Sequence, residues 1–424
     1  MSSILTNNGA MVALQTLKGI NNNLAKTQSE ISTGKSIASA KDGAAIWAIS
    51  KVMDSDVQGF KSISTSLALG QSTVSTARDT AEKVNTLLTQ IKSYVVTAQE
   101  GNVDRAKIQT DIDVRVSQIK SFVSAAQFNG LNLLNNSSDT EGSGTVSILS
   151  SLDRGSDGTV SASHISIQKQ DLATHAQVVD SAGTYTAGTG SATATLNATQ
   201  SVTLTIDSVT AGTAYSFGMT GTDADDSAFA PADYTTAGTA AGAANIAYVA
   251  RDGDTVADVM RNLASAFASY AAENELDSDV LNVTASGDTL TVTSGATDGT
   301  DTIAVRIDTV EGANVIGGGL AALSEMDVTT DEGARMALAN IEGLIQTSIN
   351  AASAFGSAQG RVEIQADFIS QLTDSLRAGI GTLVDANMEE ASARLQALQV
   401  QQQLGIQSLS IANQAPQAIL SLFR

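Results

Sequence analysis

The chain contains no cysteine, only two prolines and two histidines, and its aromatic residues amount to 4%. The absence of cysteine excludes disulfide bonds, thiolate metal ligands and a cysteine nucleophile. Two histidines leave little imidazole for acid–base catalysis or metal binding. With so few prolines, little interrupts a helix or a strand. These absences favour long, closely packed helices built on Ala, Val, Leu and Ile, and we predict that the protein is not an enzyme.

Basic residues are also scarce. The chain contains 23 Lys and Arg against 44 Asp and Glu, which gives a net charge of −21. This balance argues against nucleic acid or an anionic membrane as the partner. The N-terminal sequence has neither the basic leader nor the apolar core of a cleavable signal peptide. No apolar run is long enough for a membrane-spanning helix. We therefore expect a protein that is cytoplasmic or leaves the cell by a route without the usual signal.

The C-terminal stretch is unusual because it carries no charged residue between Leu395 and Phe423. Apolar side chains on one side recur at helical spacing, and Val400, Leu404 and Ile411 fall on another side. A surface helix normally has one apolar stripe, so this helix requires several neighbours. The alternative is a helix buried in the core of its own domain. The residues on the first side are Leu395, Leu398, Ile406, Leu409 and Ala412.

The N-terminal segment, residues 1–32, is the predicted partner of that stretch. Before Glu30 its only charged side chains are Lys18 and Lys26. Its apolar residues follow a heptad-like spacing with small residues at several positions, which is typical of helices that pair. These residues are Ala10, Ala13, Leu17, Ile20, Leu24 and Ile31.

The longest regular pattern runs from Ile46 to Ala98, with apolar residues at alternating steps of three and four. Only Asp56 and Gly70 break this rule. It predicts a helix of about 55 residues, on the order of 80 Å long, that forms a rod. A second helix returns antiparallel and ends near Ala126. A third begins around 329–332, where a hydroxyl cap precedes acidic residues, and we expect a break in it near 356–360.

Between these helices the composition changes to Ser, Thr, Gly and Asp, and residues 181–320 hold 17 acidic and three basic residues. Short alternating stretches predict strands, with a hairpin at Gly287-Asp288. One helix is expected from Asp254 to Ala272, with Thr255 as its cap. The glycine-rich edges at 183–190 and 317–319 predict flexible connections.

The predicted fold is mainly α with an inserted α+β domain. Both chain ends form a long antiparallel helical coiled-coil or bundle rod, and a small β-rich outer domain is added to it. The expected boundaries are 1–40 with 385–424 for an inner terminal-helix domain, 41–180 with 321–384 for the rod and a short β-hairpin, and 181–320 for the variable acidic outer domain.

No residue pattern points to a catalytic, cofactor-binding or metal-binding site, and we predict no cofactor. Ser29–Ser36 ends like a phosphate-binding loop, but it has Ser where such a loop begins with Gly, and no strand precedes it. His164 and His175 lack the spacing of a metalloprotease motif. The acidic cluster at 223–226 lacks the Gly and Glu spacing of a calcium loop.

Several short motifs occur in the order in which they occur in bacterial flagellin, and the chain resembles that family over about residues 1–180 and 320–424. The variable middle of the family is not covered. The motifs are Ile31–Gly34 followed by Ser39–Ala45, then Gln127–Gly130, then Asp327–Thr330 before Glu332–Ala334, and finally Ala412–Gln417 with Ile419–Leu422.

The resemblance implies a structural subunit that polymerises into the flagellar filament for motility, after export through the flagellar type III apparatus. It implies an extracellular filament location. The implied partners are other copies of the chain, an export chaperone, the filament cap and hook-junction proteins. A hook–filament junction protein of related sequence remains the alternative. Subunit contacts are expected at Leu17, Ile20, Leu24, Leu395, Leu398, Leu404, Ile406, Leu409, Ile411, Ile419 and Leu422.

One departure from the family concerns recognition by the animal flagellin-sensing Toll-like receptor. Flagellins that the receptor detects usually carry Arg where this chain has Gln90 and Leu where it has Tyr94. The family's Glu on the following helix is matched by Asp111. Loss of a bidentate donor at Gln90 and a changed shape at Tyr94 predict weak receptor activation.

Overall fold

The computed structural model describes residues 7–422 except 156, 181, 191, 198, 225–228, 237–245, 278 and 296–299, and it describes no side chain at 184 or 415–422. Its helices are α1 (Asn8–Thr33), α2 (Ala44–Ala98), α3 (Arg105–Ala125), α4 (Val256–Glu273), α5 (Asp331–Val384) and α6 (Met388–Leu422). None of the helices in the described part of the chain contains the long, uncharged apolar stretch that a membrane-spanning helix needs.

The strands lie between α3 and α5. They are β1 (Gln127–Phe128), β2 (Leu131–Asn132), β3 (Thr145–Arg154), β4 (Val160–Gln168), β5 (Thr184–Ala187), β6 (Thr193–Asn197), β7 (Ser201–Leu204), β8 (Ala214–Thr222), β9 (Ala247–Val249), β10 (Leu281–Ser286), β11 (Thr289–Ser294) and β12 (Thr302–Glu311). The prediction of a mainly helical chain with a β-rich insertion is therefore confirmed.

The helix starts follow the expected chemistry, in which a short polar side chain accepts hydrogen bonds from free backbone N–H groups. Asn7 caps α1 and Asp104 caps α3. Thr255 caps α4, and the Asp258 carboxylate accepts a hydrogen bond from Thr255 N to complete a capping box. At the start of α5, the Thr330 hydroxyl accepts from Gly333 N at 3.0 Å. Side-chain caps therefore satisfy free backbone N–H groups at these four helix starts.

The chain divides into two compact units by its contacts. One consists of Met1–Thr65, Ser151–Ser161 and Ala366–Arg424, and the other of Ser66–Ser150 and Ala162–Gln365. The first contains α1, α6, the adjoining ends of α2 and α5, and the tip of the β3–β4 hairpin. The second contains the remainder of α2 and α5, together with α3 and the inserted strands.

Within the second unit, the predicted stripe of α2 is buried from Leu67 to Ala98. The buried face of α3, at Ile112 and Ile119, belongs to the same unit. The Ser348 hydroxyl of α5 donates to Ala81 O of α2 at 3.0 Å, so these two helices also share a buried polar contact. This apolar packing is the source of most of the stability of such long helices.

The inserted strands form two antiparallel sheets. In the larger one, β12 lies centrally with β8 on one side and β5 and β6 on the other, and β9 extends beyond β8. The smaller sheet has the order β10–β11–β7. Helix α4 packs on this core, where Phe267 meets Phe217 edge to face at 5.7 Å between ring centroids.

The structure differs from three sequence-based predictions. Helix α5 is continuous through 356–360, because buried Phe355 and Val362 on either side pack well enough to offset the weak helix propensity of the glycines. Ile46 and Ile49, expected on the buried stripe of α2, are 38% and 54% exposed. The glycines at 317–319 are closely packed and are not an open linker.

Candidate assembly surface

Helices α1 and α6 pair in antiparallel orientation at the two ends of the chain. Asn7 Nδ2 donates to Ala412 O at 2.9 Å, and Gln402 Nε2 donates to Asn21 Oδ1 at 2.7 Å. At the opposite end of the pair, Ala386 N donates to Gly34 O at 2.9 Å. Gly34 has a φ of 72°, which glycine adopts without strain where a helix ends.

The face of α6 that meets α1 follows a seven-residue repeat. Its members are partly or fully buried at spacings of three and four, the signature of a coiled-coil seam. Gly405 lies on this seam, and a Cβ there would be 3.1 Å from Leu17 Cδ1, so the small residue admits the larger side chain of the partner helix. The seam residues of α6 are Ala391, Leu395, Leu398, Gln402, Gly405, Leu409 and Ala412.

The predicted contact residues divide between this seam and the outer surface. Those on the seam are Leu17, Ile20, Leu24, Leu395, Leu398 and Leu409. The assignment of Ile406 to the same side as Leu395 and Leu409 is wrong, because Ile406 is 53% exposed and Gly405 takes the seam position. The side chains of Ile419 and Leu422 lie outside the described residues.

An apolar surface remains on the outside of the pair, and we call it the outer face. Its members each leave more than half of the side chain in water within one chain: Met11, Val12 and Leu14 on α1, and Val400, Leu404, Ile406 and Ile411 on α6. Full burial of such a side chain stabilises a protein by about 1.5–3 kcal/mol. An exposed apolar patch of this kind marks an interaction surface.

The outer face carries almost no charge. Lys18 and Lys26 are the cations of the α1 sequence, and Lys26 lies 3.9 Å from Glu30 one turn away. On α6 the charged side chains Glu389, Glu390 and Arg394 all precede Leu395. Contacts made by this surface must therefore depend on shape and apolar burial more than on ion pairs.

Among the described residues, no group of three or more His, Cys, Asp or Glu side chains is placed to hold a metal ion.

The three residues singled out for receptor contact lie together, around an arginine that the sequence did not identify. Arg115 of α3 stacks on the Tyr94 ring at 4.3 Å and donates to the Tyr94 hydroxyl at 2.8 Å. It also donates to Gln90 Oε1 at 3.3 Å and to Asp111 O at 2.9 Å. Arg115 lies one helical turn after Asp111, and that spacing was the available signal.

Two family models match the helical parts of the chain. One, described as the bacterial flagellin N-terminal helical region, matches residues 4–139. The other, described as the bacterial flagellin C-terminal helical region, matches residues 338–423. The residues matched include all of α1 and α6, and thus the outer face and the seam.

Full-length relatives agree with these matches. Flagellin B of Rhizobium meliloti is 35% identical over 429 residues, and Flagellin A of its strain 1021 is 36% identical over 428, with all of each chain covered. A solved structure of FliC from Burkholderia pseudomallei covers 69% of this chain and 99% of its own at 18% identity, but its TM-score of 0.31 supports no further conclusion. The sequence matches are sufficient: this chain belongs to the bacterial flagellin family.

Proposed function

We propose that this protein is the structural subunit of a flagellar filament and that copies assemble through the outer face of the α1–α6 pair. The observation that carries this proposal is a set of seven large apolar side chains, all more than half exposed, on an almost uncharged helix pair. Nothing in the described part of a single chain buries these side chains, and other copies of the same chain are the abundant source of complementary surface.

The outer face favours an open polymer over a closed ring. Its apolar residues are distributed on both helices and on more than one side of α6, so one copy offers contact in several directions. Head-to-tail contacts that do not close produce helical filaments. Because the contacts are mainly apolar, we expect assembly to depend weakly on salt.

The sequence also suits delivery to the outside of the cell. The protein has no cysteine, so a chain that is exported unfolded has no disulfide to reduce or to mispair. An export chaperone would cover the apolar terminal segments before assembly, and the filament cap and hook-junction proteins would contact the growing polymer. The acidic residues of 181–320 would face water and limit association between filaments.

Within the filament, 1–40 and 385–424 would form the inner domain, and 41–180 with 321–384 the surrounding rod. The exposed Ile46 and Ile49 lie just beyond the first of these boundaries, where contact with another copy would cover them. The outer domain, 181–320, would add the variable surface.

Seeded growth tests the proposal against the hook–filament junction alternative. Purified monomer is added to short filament fragments, and filament length is followed by electron microscopy. A filament subunit extends the fragments into long tubes. A junction protein adds a short segment at most, and that result would refute the proposal.

We also propose that the protein activates the flagellin-sensing Toll-like receptor poorly. Gln90 lacks the charge and the bidentate donor of the arginine found in recognised flagellins. Arg115 does not replace it, because its guanidinium is engaged by Tyr94, Gln90 and Asp111 O on the surface of this chain. This arrangement holds the Arg115 guanidinium flat against α2. The Tyr94 ring then occupies the position at which recognised flagellins carry leucine.

A further inference from the structure

The inserted domain joins the rest of its unit through two antiparallel segments, 171–180 and 312–320, which we call the neck. Val178 N donates to Val315 O at 3.0 Å, and Val315 N donates to Val178 O at 2.7 Å. Leu320 N continues the pairing by donating to Ala173 O at 2.9 Å. The neck is therefore a short ladder and not a pair of independent linkers.

The glycines at 317–319 allow the two segments of the neck to approach each other closely. A Cβ on Gly318 would collide with Ala173 O, and a Cβ on Gly319 would collide with Asp171 O. A Cβ on Gly317 would come 2.7 Å from Gln177 Cβ. Any other residue type at these positions would force the two segments apart.

Arg251, just after β9, spans the space between the inserted domain and the neck. Its side chain is 15% exposed, and its Nε lies 3.3 Å from Asp171 Oδ2, in a carboxylate that is 1% exposed. Its Nη2 donates to Gly317 O at 2.8 Å, and its Nη1 donates to the Tyr248 hydroxyl at 3.1 Å. The Tyr248 hydroxyl donates in turn to Asp254 Oδ2 at 2.5 Å.

The loop that carries Arg251 also binds the polypeptide on the side of the rod. Asn136 Nδ2 donates to Asp252 O at 2.9 Å, and Gly144 N donates to Asp252 Oδ2 at 2.5 Å. Gln168 Nε2 donates to Gly253 O at 2.9 Å. Three separate segments before the neck are thus fixed by one loop of the inserted domain.

A further contact joins helix α4 of the insertion to helix α5. The Ser269 hydroxyl of α4 is 3.1 Å from Asn340 Oδ1 of α5. Nearby, Arg335 Nη2 lies 3.8 Å from Glu275 Oε1. The inserted domain is therefore attached at the neck, at the loop 250–254 and at α4, and three separated attachments restrain rotation as well as translation.

We propose that Arg251 is a positioning residue that locks the inserted domain to the neck, so that the domain moves with the rod segment of its unit as one body. A planar guanidinium suits this task, because it donates in fixed directions to a carbonyl and a hydroxyl while its charge lies 3.3 Å from a buried carboxylate. Removing it leaves the Asp171 carboxylate buried without its cation, which favours opening of the neck. The outer surface of an assembled protein would then have a fixed orientation.

The absence of cysteine allows a direct test in the full-length chain, kept below the concentration at which it polymerises. Spin labels are attached at Ser117→Cys on α3 and Ser265→Cys on α4, both exposed positions, and the distance distribution is measured by pulsed electron paramagnetic resonance. We expect one narrow distribution for the parent and a shift to a broad one with longer distances for Arg251→Met. The matched control is Arg261→Met, whose exposed side chain pairs with Asp258 on its own helix.

A second variant keeps the test decisive where Arg251→Met folds poorly. Arg251→Lys retains the charge but has a single donor group, so it cannot contact Gly317 O, Asp171 and Tyr248 at once. We therefore expect a broadened distance distribution for this variant at temperatures where it is still folded. A distribution in Arg251→Lys or in folded Arg251→Met as narrow as that of the Arg261→Met control would overturn the proposal. Broadening in the Arg261→Met control as well would also overturn the assignment to Arg251.

Discussion

Arg154 Nη2 lies 2.6 Å from Asp56 Oδ1, and this contact explains why an acidic residue interrupts the apolar stripe of α2. Arg154 is the last residue of β3, so the tip of the hairpin packs on the helix at that point. Leu152 lies close by, where a Cβ on Gly59 would be 2.9 Å from its Cδ1. The stripe of α2 thus includes a docking position for a strand.

The Asp56–Arg154 pair should hold the hairpin tip weakly and in a salt-dependent way. We expect Asp56→Asn and Arg154→Met each to lower the melting temperature slightly at low salt and less at high salt, because exposed pairs are screened. The double variant should be no less stable than the worse single variant. Asp54→Asn is the control, because Asp54 pairs with Lys51 on its own helix at 3.6 Å. Fully additive effects of the two changes would contradict a direct pair.

Gly70, the second interruption of the stripe, should not tolerate a side chain. A Cβ there would collide with Ile148 Cδ1 of β3 in the same unit. We expect Gly70→Ala to destabilise the protein by about 1–3 kcal/mol, the usual cost of overpacking. Gly356→Ala in α5 meets nothing within 4 Å and should stabilise by about 0.5–1 kcal/mol, because alanine favours helix. Chemical denaturation measures the change in the free energy of unfolding for each variant. Two variants that are both destabilised, or both stabilised, would contradict this explanation.

The pKa of Asp254 is raised above the ordinary value of aspartate. Burial raises the pKa of Asp254, although hydrogen bonds from the Tyr248 hydroxyl and from Arg251 N oppose that shift. Because the folded-state pKa exceeds the unfolded one, protonation of this group favours the folded state. The stability of the parent relative to Asp254→Asn should therefore be highest below about pH 3.9 and fall as pH rises through the folded-state pKa. Parallel denaturation curves across this range check the sign, and a difference that grows with pH would contradict it.

The receptor proposal predicts a graded gain of function. In a reporter-cell assay, the parent should be much less potent than an enterobacterial flagellin. Gln90→Arg with Tyr94→Leu should raise potency, because it restores the bidentate donor and frees the Arg115 guanidinium from the tyrosine. Gln58→Arg, at an exposed position on the same helix outside this cluster, is the control. Equal potency of the parent and the enterobacterial protein would refute the proposal.

The outer face and the seam should respond differently to a buried charge. We expect Leu404→Asp to block filament elongation while helix content and melting of the monomer stay unchanged. Leu409→Asp should also block elongation but reduce helix content, since Leu409 lies in the seam with α1. An unpaired carboxylate in a contact costs several kcal/mol. Gln403→Asp is the control, because it adds the same charge beside Leu404 at an exposed polar position. Comparing the two variants separates the effect of the charge on elongation from the effect of lost apolar burial.

The sequence predicted the long helices well because their apolar periodicity is continuous and little competes with it. It predicted the pairing of α1 with α6 but placed Ile406 on the seam. Helical spacing of apolar residues cannot show that Gly405, a small residue, fits better against Leu17. Five strands were missed: β1, β2, β5, β6 and β9. They are short, and two of them pair with β12 more than 100 residues away in sequence, so nothing local identifies those two. Arg115 was missed for a related reason, since two of its partners lie on another helix.

The most direct test of the central claim is a cryo-electron microscopy map of filaments assembled from this protein, at a resolution that shows side chains. We predict that Leu404, Ile406 and Ile411 lie against other copies of the chain, while Leu395, Leu398 and Leu409 contact α1 of their own chain. A map in which Leu404, Ile406 and Ile411 face solvent would contradict the account.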